Sequence, residues 1–125
     1  MSEKAQAEKR KALEKDTMAL QELRKEQATL VENRQKLESQ LQENELVEKE
    51  FKLLKDGARV YKMIGPVLVP QDKTEATANV EKRLEYIRDE VKRAEQRLEQ
   101  MAKEQQTLST SAYKLQMELQ GAAQA

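Results

Sequence analysis

The sequence contains neither cysteine nor histidine, and each absence removes a class of chemistry. Without cysteine the chain forms no disulfide and offers no thiolate to a metal ion, which fits a reducing compartment. Without histidine it lacks the commonest general base and metal ligand. We therefore expect a protein that is not an enzyme and that holds no metal and no cofactor.

A surplus of one charge and a long apolar run are also missing. The 23 basic and 23 acidic residues cancel, whereas nucleic-acid binders draw most of their affinity from an excess of Lys and Arg. No apolar run approaches the ~18 residues that a membrane-spanning helix requires, and the first residues carry no apolar signal segment. We expect a soluble cytosolic or nuclear protein that binds neither nucleic acid nor membrane.

Apolar side chains are too few for a compact core. The apolar set makes up 38% of the chain and charged residues 37%, against about 45–50% and 25% in ordinary domains. Only four residues are aromatic: Phe51, Tyr61, Tyr86 and Tyr113. This composition suffices for one apolar stripe on each of a few long helices.

Glycine and proline are nearly confined to one short segment, from Gly57 to Pro70, with Gly121 as the exception. The flanking segments are rich in strong helix formers. Gly57 is expected to end the first helix, and Asp72 or Thr74 to cap the second. We predict a single domain over 1–125, with a helix at 3–55, a linker at 56–73 that holds a β-hairpin at 59–70, a helix at 74–120 and a flexible tail at 121–125.

Both predicted helices carry a heptad repeat. In the second, twelve positions from Val80 to Leu119 alternate 4-3 without a break, and the first repeats the spacing less purely from Leu13 to Phe51. Such repeats require a supercoiled partner helix. Two long helices joined by a short linker pack most simply on each other as an antiparallel coiled coil. Pairing of each helix with another chain is the alternative.

Two details of this coiled coil follow from the sequence. Gln27 and Gln105 fall in neighbouring layers of the seam, meaning the a and d positions of the heptad. Buried polar residues in a seam can fix its register, so we predict that this pair marks the alignment. Near the end of the first helix the apolar stripe drifts toward Leu46, Val47 and Leu54.

The linker has the composition of a β-hairpin around Gly65-Pro66, a pair that fits a type II′ turn. The hairpin is apolar on both faces and has two open edges, and an isolated two-stranded hairpin is marginal in water. We predict that it joins strands of other subunits in a shared β-barrel; the alternative is that it folds back on its own helices. The predicted assembly residues are Val60, Tyr61, Met63, Ile64, Gly65, Pro66, Val67, Leu68 and Val69.

A second set of apolar residues lies where both termini meet. Tyr113 and Met117 are four residues apart and off the seam, as is Met18. Met is adaptable and recurs on promiscuous binding surfaces, although single exposed apolar residues are also common without any role. As a hypothesis, these helix ends bind exposed apolar segments of other proteins through Leu13, Met18, Leu20, Leu108, Tyr113, Leu115, Met117 and Leu119, which we call the helix-end set.

The run Gly-Pro-Val-Leu-Val at 65–69, preceded by Val-Tyr-Lys-Met-Ile and followed by Lys-Arg-Leu-Glu-Tyr-Ile at 82–87, is specific. With its two flanking helices it resembles the prefoldin family, in particular the β-type subunits of eukaryotes. The resemblance implies a mainly α chain, a long antiparallel two-helix coiled coil with one β-hairpin at the bend. The hairpin would join an intersubunit β-barrel in a heterohexamer of α- and β-type subunits.

The same resemblance implies a function. Prefoldins are ATP-independent co-chaperones that bind unfolded or nascent proteins, of the actin and tubulin type, and transfer them to the cytosolic group II chaperonin. The client-binding ends would be residues 1–23 and 108–125 of this chain. The competing hypothesis is a purely structural coiled-coil tether that binds no client, although a tether has no use for an apolar hairpin with open edges.

Overall fold

The computed structural model describes residues 1–124 of the chain. Its elements follow one another as helix α1 (Glu3–Leu53), strand β1 (Val60–Ile64), strand β2 (Val67–Gln71) and helix α2 (Lys73–Gln124). The two strands form one antiparallel hairpin. The prediction of a mainly α fold, with a single hairpin between two long helices, is confirmed.

Helix α1 starts at a serine cap that the sequence analysis did not predict. The Ser2 hydroxyl oxygen accepts a hydrogen bond from the Ala5 amide at 3.1 Å, and the Ser2 carbonyl accepts one from the Gln6 amide at 2.9 Å. This is the arrangement of an N-cap residue, and it satisfies amide groups that have no partner within the helix. A cap of this kind stabilises a helix by about 1 kcal/mol.

The end of α1 differs from the prediction. The helix stops at Leu53 instead of 55, and Gly57 does not cap it. The Ala58 amide donates to the Lys55 carbonyl at 3.0 Å, and Gly57 has a φ of +85°, the value required of the third residue in a type II turn. Gly57 therefore belongs to a separate turn between the helix and β1.

Helix α2 begins at Lys73 because Asp72 is its N-cap residue: the Asp72 carbonyl accepts the Ala76 amide at 2.9 Å. Thr74 consequently lies inside the first turn, together with Glu75, whose charge favours the positive end of the helix dipole. Of the two predicted caps, Asp72 is the correct one.

The C-terminal end of α2 also differs from the prediction. The helix continues to Gln124, whereas a tail was expected from residue 121. Gly121 costs a helix about 1 kcal/mol relative to alanine, but Ala122 and Ala123 follow it, and alanine is the strongest helix former. The last residue of the expected tail, Ala125, lies outside the described residues.

The hairpin runs from Val60 to Gln71 instead of 59–70, because strand β2 continues through Pro70 to Gln71. Proline lacks an amide hydrogen and is tolerated in a sheet where its nitrogen faces an open edge. In this hairpin Pro70 lies opposite Tyr61, and no further strand lies beside β2 in the described chain.

The chain divides into two compact units. The first joins Met1–Glu32 to the part of α2 from Ala94 onward, and its buried residues are Leu20, Leu23, Ala94 and Met101. The Gln105 side-chain amide donates to Gln27 Oε1 at 2.9 Å, and Lys9 pairs with Glu118. Because α2 numbers rise as α1 numbers fall, the helices are antiparallel here, as predicted. The glutamines lie opposite each other, which confirms them as register partners.

The second unit is Asn33–Arg93 and contains the hairpin. Its buried residues all come from α2: Ala76, Val80, Leu84 and Ile87. On α1, Glu48 and Phe51 remain half-buried at their heptad positions, while Leu46 is 62% exposed. Of the predicted drift toward Leu46, Val47 and Leu54, the part that lies in the helix is therefore wrong, since the heptad positions stay inward through its last turns. Leu54, just after the helix end, is half-buried as that prediction expects.

Candidate functional site

The hairpin turn has the geometry predicted for Gly65-Pro66. Ile64 and Val67 are paired across the two-residue loop, and Gly65 has a φ of +58°. Proline is fixed near −65° at the next position, which excludes a type I′ turn and leaves type II′. The turn therefore depends on a residue that tolerates the left-handed region, followed by one that is restricted to negative φ.

The hairpin exposes apolar side chains on both faces. Residues paired across an antiparallel hairpin share a face, so Tyr61 and Met63 lie with Pro70 and Leu68, while Ile64 lies with Val67 on the opposite face. Six apolar side chains of the hairpin are between 38% and 70% exposed: Tyr61, Met63, Ile64, Val67, Leu68 and Val69. The hairpin is therefore not covered by its own helices, and the alternative of a folded-back hairpin does not hold.

A shallow cleft of about 280 Å³ runs alongside β1. Four consecutive residues of β1, from Val60 to Met63, line one side of it, and β2 contributes only Gln71. Helical residues line the other side, among them Val47, Phe51, Val80 and Arg83. No sequence pattern predicts this cleft, because it forms only when both helix ends approach the strand.

The structure divides the helix-end set into two groups. Leu20 is buried, and Leu13, Leu108, Leu115 and Leu119 are half-buried in the seam of the first unit. The other three, Met18, Tyr113 and Met117, are exposed. Tyr113 and Met117 lie one turn apart on α2, so they share one exposed helix face. These three expose the largest share of their side chains, whereas the leucines become fully accessible only when the coiled coil opens.

A salt bridge joins the two helices next to this exposed face. The Lys9 ammonium is bonded to Glu118 Oε2, and Glu118 directly follows Met117. This bond, with smaller contributions from the charges of Lys9 and Lys114, lowers the pKa of the Glu118 carboxyl below its ordinary value, although partial desolvation opposes the shift. Nearby, the Ser111 hydroxyl donates to Asp16 Oδ2 at 2.6 Å.

Within residues 1–124 no three acidic residues are grouped so that they could hold a metal ion. None of the helices in that part of the chain has an apolar stretch of the length needed to cross a bilayer.

Comparisons with known proteins identify the family. A family model described as prefoldin subunit matches residues 14–119. The chain belongs to the prefoldin subunit family. Prefoldin subunit 6 of Arabidopsis thaliana is 53% identical over 87 residues, which are 70% of this chain and 67% of that relative. Prefoldin subunit 6 of Homo sapiens is 40% identical over 112 residues, which are 90% of this chain and 87% of the human protein.

Solved prefoldin structures have the same fold. The prefoldin β2 subunit from Thermococcus strain KS-1 superposes with a TM-score of 0.62 at 25% identity, covering 73% of this chain and 97% of that one. The prefoldin β subunit from the same strain gives 0.55 at 24% identity, covering 88% and 90%. These likenesses agree with two long helices separated by one antiparallel hairpin.

Proposed function

We propose that this chain is a β-type subunit of a hexameric prefoldin and that its hairpin joins it to α- and β-type subunits. The supporting observation is the hairpin itself: a two-stranded sheet with six exposed apolar side chains and two open edges. Such a sheet is marginal in water when it is alone. Neighbouring strands would pair its edges and cover its faces, which is what a shared β-barrel provides.

We further propose that the helix-end set binds unfolded or nascent client proteins, of the actin and tubulin type, in the cytoplasm. Exposed Tyr113 and Met117 on one helix face offer an adaptable apolar contact, because the thioether side chain of Met accommodates many shapes. Half-buried Leu115 and Leu119 lie in the last turns, where fraying exposes further apolar surface. Binding of this kind uses no ATP, and the client would pass to the group II chaperonin.

Two measurements test the proposal separately. The chain is co-expressed with α- and β-type prefoldin subunits, and the mass of the purified complex is determined by native mass spectrometry. We expect a hexamer. The complex is then added, without ATP, to chemically denatured actin, and light scattering is recorded against the isolated chain and an equal mass of serum albumin.

The outcomes distinguish the two parts. Suppression of actin aggregation by the complex supports a chaperone. A hexamer that leaves the scattering unchanged would support the structural tether instead. A chain that stays monomeric with every partner at micromolar concentration would contradict the assembly proposal.

A further inference from the structure

The two edges of the hairpin differ in their free backbone groups. With a two-residue loop, Ile64 and Val67 form the hydrogen-bonded pair next to the turn. Pairing then alternates, so Met63 and Tyr61 direct their amide groups outward from β1, and Leu68 and Pro70 occupy the matching positions on β2. Proline has no amide hydrogen. The β1 edge therefore offers two outward donors where the β2 edge offers one.

The cleft lies beside β1, the edge with the larger number of free amide donors. It is lined by Val60–Met63 of β1, from both faces of the strand, and by a single β2 residue at the strand end. A strand added to β1 would run along this cleft, and its side chains would meet Val47, Phe51 and Val80.

The cleft also has a charge. Lys62 and Arg83 line it, and none of the described lining residues is Asp or Glu. Both side chains are exposed, and within residues 1–124 neither forms a salt bridge. Lys62 is also the only charged residue in either strand. An opposite charge placed there would have two cations as neighbours.

We propose that the outer edge of β1 receives a strand from a different prefoldin subunit, and that this strand carries an Asp or Glu against Lys62 and Arg83. The inference rests on the proposed assembly through the hairpin, to which it adds the edge and the chemistry of the partner. The β2 edge has no amide donor at Pro70. Side chains of other subunits would cover this edge, or a strand would pair with it more weakly.

A second copy of this chain does not meet these requirements. Full antiparallel overlap of two β1 strands places Lys62 directly opposite its own copy, and like charges in that position are destabilising. Neither Val-Tyr-Lys-Met-Ile nor Val-Leu-Val-Pro-Gln contains a carboxylate. The hairpin of another copy therefore cannot supply the negative charge, whereas a different chain can.

Two proline variants test the edge. Met63→Pro removes an outward amide from β1, and Leu68→Pro removes the amide directly across from it on β2. Both changes replace one exposed apolar side chain and leave the bonds between the two strands in place. Because Leu68 is itself a predicted assembly residue, both variants should assemble less tightly than the wild type with co-expressed prefoldin subunits. We expect the loss in Met63→Pro to exceed that in Leu68→Pro by about tenfold. Circular dichroism of each free chain checks that the helices are intact.

Carbodiimide coupling tests the charge. In the assembled wild-type complex this reagent should join the Lys62 amine to a carboxylate of the neighbouring subunit, and mass spectrometry of the peptides identifies that residue. Lys62→Arg keeps the charge but provides no reactive amine, so it should assemble normally and lose the cross-link. Lys62→Glu should weaken assembly.

The results separate this inference from the proposed function. If the wild-type chain forms no complex, the assembly proposal fails. If it does, but the two proline variants behave alike, or Leu68→Pro is the weaker, the edge assignment is wrong. Assembly by Lys62→Glu at wild-type strength, or a Lys62 cross-link to another copy of this chain, would contradict the acidic partner strand.

Discussion

Single residues fix the alignment of α1 on α2 in the first unit. Gln27 and Gln105 are half-buried, and each satisfies the other through the 2.9 Å bond. Replacing one of them by leucine leaves the side-chain amide of the other without a hydrogen-bond partner. That costs about 1–3 kcal/mol for a buried group, and less for these half-buried glutamines.

We therefore expect Gln27→Leu to lower the free energy of unfolding by about 1 kcal/mol. The double variant Gln27→Leu/Gln105→Leu should recover that loss, because two apolar groups in one layer need no bond. Urea unfolding of all four combinations in a double-mutant cycle gives the coupling. Additive effects of the two substitutions would show that the bond contributes nothing.

The salt bridge between Lys9 and Glu118 should make the stability of the fold depend on pH. The Lys9 ammonium is the main reason that the pKa of Glu118 is lowered. A lowered pKa in the folded state stabilises the fold above the pKa of the unfolded chain, and this contribution is lost as pH falls through the lowered value. We expect Lys9→Gln to raise the pKa of Glu118, and Lys114→Gln to raise it less. An NMR titration that follows the carboxyl carbon of Glu118 gives its pKa in each variant. An equal rise of the pKa in the two variants would contradict the assignment to Lys9.

Sequence reasoning at the residue scale succeeded where a rule depends on spacing. The half-buried positions of Leu13, Gln27 and Phe51 follow from the heptad alone. It failed where several local solutions compete. Gly57 could have ended the helix or turned the chain, and only the bond from Ala58 to Lys55 decides between them.

Among the elements, the hairpin depends on its turn more than on its strands. Gly65 has a φ of +58°, and a Cβ added there would meet nothing within 4 Å. The cost of Gly65→Ala is therefore backbone strain, about 1 kcal/mol. We expect faster hydrogen exchange at the Val67 amide, whose bond closes the turn.

Gly121 provides the matched control, because it lies in α2 with open space around its Cβ position and no positive φ. Gly121→Ala should stabilise the end of α2 by up to about 1 kcal/mol and slow exchange there, with the hairpin unchanged. If Gly65→Ala slowed hydrogen exchange around its site as Gly121→Ala is expected to do, the turn would not require a positive φ at Gly65.

The elements also show how far the sequence can predict a site. The hairpin was found because β-rich residues and Gly-Pro stand out between helix formers. The cleft beside β1 was not, because Val47, Phe51 and Arg83 are ordinary residues of the two helices, and their approach to the strand depends on how α1 ends and α2 begins. The one sequence feature that could have indicated the cleft is Lys62, a charged residue in the middle of an apolar strand.

For the whole molecule, the exposed apolar residues form separate sets with different expected roles. Tyr113 and Tyr86 are equally exposed, at 64% each, but Tyr113 belongs to the first unit and Tyr86 to the second. Both are tyrosines on the surface of α2. If clients bound to any exposed apolar residue, both tyrosines would contribute to client binding. If clients bind to the helix-end set, only Tyr113 would contribute.

This equality allows a controlled test of client binding in the assembled complex. We expect Tyr113→Ser/Met117→Ser to reduce suppression of actin aggregation several-fold, since it removes both exposed apolar groups from one helix face. Tyr86→Ser should leave suppression unchanged, and neither variant should alter the number of subunits in the complex, because none of these residues lies in the hairpin. Full activity of the double variant would show that the frayed seam leucines bind clients instead. Equal losses in both variants would mean that α2 binds clients along its length, because the contact would then follow apolar exposure and not position.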